Sequence, residues 1–363
     1  MSLRSDTTIS ENEEYVPNLN KPKDTPFRQQ KLNAWQPVPT LYTLIPFCFL
    51  IALLFIPLSI ILFKASSDVK EFIIDYTGCD SALTCERKIE LESDYEGEVY
   101  FYYELDNFYQ NHRRYQKSKS ENQFFAKDLN DVSACDSYSL YNDVDNISKK
   151  IYPCGSIANS MFNDKFYLYY DYYSQTLPNF PKETKAVEMT FDGLLLDRDL
   201  KQLYKNPKFS SNETLCDVLK DFAKPPKWDV KACELDLNNP DNNGVQNFDF
   251  IIWMTTAGLS HFRKPYRKLN TTANFFSNGL PRGNYTLKID NKFEVESFHG
   301  KKKFIITTLS WMGGKNNFLP FAFLIVAALS ILSAIFLLLI HFKYGHSAKS
   351  MANVAPLYTS HFD

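Results

Sequence analysis

The sequence lacks the short motifs that carry the commonest catalytic chemistries. It contains no G-x-S-x-G, H-E-x-x-H, G-x-G-x-x-G or Walker motif. Histidine is scarce, with 6 in 363 residues, and the three between the long apolar runs (His112, His261 and His299) are too scattered to predict a zinc site. We therefore predict a protein that is not an enzyme and holds no metal or cofactor.

An excess of charge of one sign is also missing. The 40 Lys and Arg residues nearly balance the 42 Asp and Glu residues, so the formal net charge is -2. A near-neutral chain gives no electrostatic reason to expect nucleic acid as a partner.

Two long apolar runs contain no Asp, Glu, Lys or Arg. They cover residues 42–63 and 318–342, and each is long enough to cross the roughly 30 Å hydrocarbon core of a bilayer. We predict two transmembrane helices, the first an uncleaved signal anchor. The expected organisation is a cytoplasmic tail (1–41), a span (42–63), a large extracytoplasmic domain (64–317), a span (318–342) and a cytoplasmic tail (343–363).

Cysteines and glycosylation sequons indicate the side on which the large domain lies. Six of the seven cysteines lie between the spans, at 79, 85, 135, 154, 216 and 233, which suits disulfides in an oxidising compartment. The N-x-S/T sequons at Asn146, Asn212, Asn270 and Asn284 lie there too. We therefore expect the domain to be lumenal or extracellular, disulfide-bonded and N-glycosylated.

Strand signals dominate this domain. The segments 88–105, 165–173, 186–196 and 301–311 are rich in β-branched and aromatic residues, and 284–298 is typical of a hairpin turning near Asp290. A helix is predicted over 213–223, whereas 247–257 fits a helix or a strand. A mainly antiparallel β-sandwich is the expected fold.

These features leave three classes of function open: an accessory subunit of another membrane protein, a subunit of a two-span ligand-gated channel or receptor, and an ectoenzyme. A channel should show polar residues along its spans, and an ectoenzyme a paired acid and base. The sequence shows neither feature, so the accessory-subunit class remains by elimination.

Residues 239–244 (NPDNNG) begin like a calcium loop, but Phe250 stands where the bidentate glutamate belongs, which favours a polar turn.

Six motifs, in order along the chain, carry a resemblance to one family. They are FRQQKLNAWQP (27–37), IDYTGCD (74–80), NFYQNHRRY (107–115), YPCGSIANSMFND (152–164), GNYTLKI (283–289) and WMGGKNNF (311–318). The chain resembles the β-subunits of type IV P-type ATPases, the phospholipid flippases, known as the ligand-effect-modulator or cell-division-control subunits.

The resemblance implies a non-catalytic subunit that forms a heterodimer with the ATPase catalytic α-subunit, which binds ATP and Mg²⁺. It implies that the chain escorts this partner from the endoplasmic reticulum to the Golgi, endosomes or plasma membrane. The complex would move phosphatidylserine and phosphatidylethanolamine, its phospholipid substrates, to the cytoplasmic leaflet.

The resemblance also implies site residues. The family's bridges suggest disulfides Cys79–Cys85 and Cys135–Cys154, which leaves Cys216 with Cys233. The residues expected to support assembly with the partner are Asn107, Phe108, Tyr109, Asn111, His112, Arg113, Arg114, Tyr115, Trp35 and Trp311. Within NFYQNHRRY, we expect Phe108, Tyr109 and Tyr115 near the sandwich core and the arginines paired with carboxylates or carbonyls. A direct grip of the arginines on lipid headgroups is the alternative.

Overall fold

The computed structural model describes residues 23–30, 40–79, 83–142, 148–172, 183–195, 202–210, 212–272 and 275–345. By internal contacts the chain divides into two compact units, residues 1–55 with 325–363, and residues 56–324.

Two long helices match the predicted spans. Helix α1 is Leu41–Ser67 and helix α7 is Phe318–Tyr344, each of 27 residues. They extend a few residues beyond the apolar runs. In the unit of residues 1–55 and 325–363, Ala52, Ala327 and Ala334 are buried. Most large apolar side chains of both helices are exposed, as expected of surfaces that face lipid.

The second unit contains thirteen strands and five short α-helices among its described residues. The strands are β1 (Glu71–Asp75), β2 (Thr84–Leu91), β3 (Tyr95–Glu96), β4 (Val99–Asp106), β5 (Leu140–Asn142), β6 (Ser148–Lys150), β7 (Lys165–Tyr172), β8 (Glu183–Ala186), β9 (Met189–Thr190), β10 (Phe262–Leu269), β11 (Gly279–Leu280), β12 (Gly283–Asp290) and β13 (Lys301–Thr308). The short helices are α2 (Arg113–Lys117), α3 (Glu121–Phe124), α4 (Ser156–Asn159), α5 (Leu215–Val218) and α6 (Phe248–Met254).

The strands form two main antiparallel sheets. One has the order β1-β13-β4-β10-β9 and the other β2-β12-β7-β8. Alternate residues of β4 (Val99, Phe101, Tyr103 and Leu105) point into the core, which is the period of two expected of a half-buried strand. The ring of Phe166 on β7 lies 4.5 Å from that of Phe304 on β13, so the two sheets pack face to face. The predicted mainly β, antiparallel domain between two membrane helices is confirmed.

The strand directions define two ends of this sandwich. Only three residues separate the end of α1 from β1, and nine separate β13 from α7. We call the end where β1 begins and β13 ends the proximal end. The opposite end, where β4 finishes at Asp106, is the distal end.

Three predicted elements are wrong in extent. Within the described part of the strand predicted over 186–196, only Ala186, the last residue of β8, and β9 (Met189–Thr190) are in strands. Residues 291–298 do not form the second arm of a hairpin, because the amides of Lys292 and Phe293 donate to the Asp164 carboxylate, at 2.6 and 2.7 Å. The helix over 213–223 is one turn, Leu215–Val218, since the chain then turns so that Ala223 pairs with Ile151. The ambiguous segment 247–257 contains helix α6.

Candidate functional site

The NFYQNHRRY segment leaves the distal end of β4 and joins three strand ends. Asn107 adopts a left-handed conformation (φ 62°), which asparagine tolerates better than most residues. Its side-chain amide donates to the Phe298 carbonyl at 2.6 Å, just before β13. The Phe108 amide donates to the Ser260 carbonyl at 3.1 Å, just before β10. The motif therefore fixes the distal ends of three neighbouring strands.

Phe108 fills the space beneath this turn. Its ring centroid lies 5.3 Å from that of Phe298, 5.5 Å from Trp253, 5.9 Å from Tyr115 and 6.0 Å from Phe293. Such edge-on and tilted contacts stabilise beyond simple burial of area. The expected roles of Phe108 and Tyr115 near the core agree with this packing.

Two amide side chains of the motif hold the loop that follows α6. Gln110 is fully buried, and its Oε1 accepts a hydrogen bond from the Ala257 amide at 2.9 Å. The Asn111 side chain donates to the Gly258 carbonyl at 2.9 Å. Both bonds satisfy main-chain groups of the loop that no helix or strand satisfies. Gln110 and Asn111 therefore fix the conformation of the loop through its main chain.

The second long motif, residues 152–164, packs directly against the first. The Tyr115 and Ser160 hydroxyls lie 2.7 Å apart, and burial raises the pKa of Tyr115 to about 12, so its phenol stays protonated. The Ser156 amide donates to the Ser118 Oγ at 2.9 Å. Gly155 has φ +107°, and a Cβ there would lie 2.1 Å from the Ser118 carbonyl oxygen. Only glycine permits this approach.

Two buried tryptophans that sequence reasoning missed complete the contact. Trp253 on α6 donates its indole N–H to the Ile157 carbonyl at 2.8 Å, and Trp228 donates to the Ala158 carbonyl at 2.7 Å. These bonds satisfy two carbonyls of the short helix α4. Both tryptophans lie outside the six motifs, and only their burial pattern in three dimensions reveals the role.

The last residue of the second motif, Asp164, anchors a buried polar network. Tyr76, from the IDYTGCD motif, donates to the Asp164 Oδ2 at 3.0 Å, and the Lys302 Nζ lies 3.1 Å from the same atom. The side chains of Asp164 and Lys302 are fully buried. Burial, followed by the charge of Asp164, raises the pKa of Tyr76 well above 10, so it remains a donor. Three distant segments thus meet at one carboxylate.

The remaining residues of NFYQNHRRY point outward. Tyr109 is 57 % exposed, so the prediction that its ring lies near the sandwich core is wrong. His112, Arg113 and Arg114 are also exposed, and within the described ranges neither guanidinium makes an ion pair or a side-chain hydrogen bond, contrary to expectation. The motif divides into an inner set that organises the fold and an outer set that is free to contact another molecule.

The remaining site residues fall in other places. The disulfides are Cys79–Cys85 and Cys135–Cys154, the pairs that the resemblance implied, and Cys216–Cys233, the pair that was left. The sequon residues Asn212 and Asn284 are exposed and Asn270 is half-buried, whereas Asn146 lies outside the described residues, as does Trp35. Trp311 is 75 % exposed in the turn before α7.

Three features of the described residues bear on metal or ligand binding: one group of potential metal ligands, one cavity, and the residues that resemble a calcium loop. Their one group of three potential metal ligands is Cys216, Cys233 and Glu234, and the disulfide consumes both thiols. A surface cavity of about 610 Å³ includes Asp249 and Arg267, but these two already form a bidentate pair, at 2.5 and 2.9 Å. In residues 239–244, the side chains of Asn239, Asn242 and Asn243 bond to main chain or to Asp236.

Comparison with known proteins identifies the family to which the chain belongs. The LEM3 (ligand-effect modulator 3) family / CDC50 family matches residues 62–347. Cell cycle control protein 50A of Mus musculus is 38% identical over 348 residues, covering 91% of this chain and 92% of the mouse protein. The chain belongs to the CDC50/LEM3 family. The region matched to the CDC50 family contains both long motifs, the three disulfides and α7.

Two further relatives show how widely the CDC50 family pattern extends. Cell cycle control protein 50B of Homo sapiens is 36% identical over 348 residues, covering 90% of this chain and 95% of that protein. ALA-interacting subunit 3 of Arabidopsis thaliana is 31% identical over 336 residues, covering 88% and 85%. The name of the plant relative describes a subunit that interacts with ALA.

Proposed function

We propose that this CDC50-family protein is the non-catalytic β-subunit of a type IV P-type ATPase, a phospholipid flippase. The observation that carries the proposal is the match to the family over residues 62–347, which includes every motif except the first. The plant relative's name as an interacting subunit agrees with it. In this proposal ATP and Mg²⁺ bind the α-subunit, and this chain contributes no reacting group.

The proposed activity of the heterodimer is ATP-driven movement of phosphatidylserine and phosphatidylethanolamine from the outer to the cytoplasmic leaflet. The two spans of this chain contain no carboxylate, lysine or arginine within residues 42–63 and 318–342. Helices of this composition are poorly suited to carry a charged headgroup or an ion. We therefore place the lipid pathway in the partner.

The proposed topology has both termini in the cytoplasm and the sandwich in the lumen or outside the cell. The three disulfides support it, because such bonds persist in oxidising compartments. Exposed sequon residues such as Asn212 and Asn284 are accessible to glycosylation there. The same reasoning favours transit through the endoplasmic reticulum and residence in the Golgi, endosomes or plasma membrane.

We assign the outer set of the first motif, Tyr109, His112, Arg113 and Arg114, to contact with extracytoplasmic loops of the α-subunit. Strand β4 has eight residues, so it separates this set from the proximal end by about 23 Å, at about 3.3 Å per residue. That separation disfavours a grip on lipid headgroups. Exposed guanidiniums that have no carboxylate partner among the described residues suit acidic groups on another protein.

The proposal is tested by expressing the chain with and without a P-type ATPase α-subunit. Alone, it should remain in the endoplasmic reticulum with immature glycans; with its partner, both should reach a later compartment. Efficient surface delivery in cells that lack every such ATPase would contradict the escort role. Cation currents through the chain alone would support the channel or receptor alternative instead.

A further inference from the structure

The proximal end of the sandwich lies close to the bilayer surface. The uncharged run of α1 ends at Phe63, and the last four residues of the helix add about 6 Å. Three residues later β1 begins, and the Thr308 amide donates to the Lys70 carbonyl at 3.0 Å. A phospholipid headgroup layer is about 5 to 7 Å thick on each side of the hydrocarbon core. The first strands therefore start at the height of the headgroups or just above it.

Hydrophobic side chains are exposed at this end. Leu309 is 38 % exposed and Trp311 75 % exposed in the segment between β13 and α7. Tyr172, 40 % exposed, is the last residue of β7, and the register of β7 with β12 and β2 places it at the proximal end. Its ring centroid lies 6.0 Å from that of Phe275, which is 38 % exposed. We call these four residues the proximal rim.

The turn that carries Trp311 is held in place. The amides of Ser310 and Gly313 each donate to the carbonyl of the other residue at 2.9 Å. A few residues later the Asn316 amide donates to the Ser66 Oγ at 3.1 Å, and that hydroxyl donates to the Asn317 Oδ1 at 2.8 Å. Trp311 is thus presented from a closed turn tied to the last turn of α1.

We propose that the proximal rim inserts into the headgroup region of the outer leaflet, with Trp311 as its main anchor. Tryptophan and tyrosine favour the membrane–water interface, because an apolar ring and a polar N–H or O–H are both satisfied there. Lys64, just after the uncharged run of α1, and Lys315, just before α7, are exposed. Both positions suit contact with lipid phosphates. The sandwich then rests on the lipid surface, in addition to its attachment through two helices.

Spin labelling tests this inference in the assembled complex. Leu309→Cys, in a Cys48→Ser background, is labelled with a nitroxide while Trp311 stays in place, and the complex is placed in phosphatidylcholine nanodiscs. Oxygen concentrates in the bilayer, whereas a neutral nickel chelate stays in water. We expect the ratio of oxygen to nickel collisions to be severalfold higher at residue 309 than at Leu237→Cys. Leu237 is the water-exposed control, because it is 76 % exposed and lines a cavity that also includes Lys165, the first residue of β7, at the distal end.

Three results would overturn the inference. Equal ratios at residues 309 and 237 would place the rim in water. Suppression of both collisions at 309, when the α-subunit is present, would show that protein covers the rim. If Trp311→Ser left the ratio at 309 unchanged, Trp311 would not be the anchor; we expect that variant to lower the ratio and Trp311→Phe to preserve most of it.

Discussion

Replacement of Lys302 by methionine tests the buried network that joins the family motifs. Lys302→Met keeps most of the side-chain volume but removes the charge that lies 3.1 Å from the Asp164 carboxylate, in a site where both side chains are fully buried. It also removes the donor to the Phe293 carbonyl, at 2.6 Å. Breaking a buried pair from one side costs about 3 to 5 kcal/mol, because the remaining charge stays buried without its partner.

For a domain of this size that loss lowers Tm by about 6 to 20 °C. The assay heats the full-length chain and follows the folded fraction by size-exclusion chromatography. Lys288→Met is the matched control, since Lys288 forms an exposed pair with Glu86 at 3.1 Å, and exposed pairs contribute about 0 to 1 kcal/mol. If Lys302→Met lowered Tm no more than Lys288→Met, Asp164 and Lys302 would not be the junction of the motifs.

Three further predictions concern the two long motifs. The double variant Arg113→Ala with Arg114→Ala should change the free energy of unfolding by about 0.5 kcal/mol or less but reduce recovery of the α-subunit in pull-downs; lost stability with normal recovery would reverse our assignment. Gly155→Ala should lower the free energy of unfolding by about 2 to 4 kcal/mol, since it combines backbone strain with a main-chain collision. Each kcal/mol lowers Tm by roughly 2–4 °C, so a Tm within 2 °C of wild type would contradict this prediction. Phe108→Ala should destabilise by about 3 kcal/mol, whereas Tyr109→Ala should be near neutral in the same melt.

The membrane helices and most strands follow from sequence because their signals are local. An uncharged run of more than 20 residues predicts a membrane helix, and the alternation in β4 predicts a strand with one buried face. Neither prediction needs information from other segments. The segment after Asp290 also has the local pattern of a hairpin, although no hairpin forms there. A distant carboxylate, Asp164, captures the amides of Lys292 and Phe293, and no local pattern contains that information.

The candidate site shows the same limit. The resemblance identified NFYQNHRRY as one unit, yet only the structure separates buried Gln110 and the packed ring of Phe108 from exposed Tyr109. Aromatic residues at adjacent positions carry similar propensities, so sequence reasoning placed both rings near the core. Trp253 was missed as a site residue because its contact with the second motif joins positions 96 residues apart.

The most direct test of the central claim is affinity purification of the tagged full-length chain from its native membranes in mild detergent. We predict stoichiometric recovery of one large P-type ATPase, with ATPase activity stimulated by phosphatidylserine or phosphatidylethanolamine. Recovery of a folded, glycosylated chain with no such ATPase, under conditions that preserve other membrane complexes, would contradict its role as a flippase subunit.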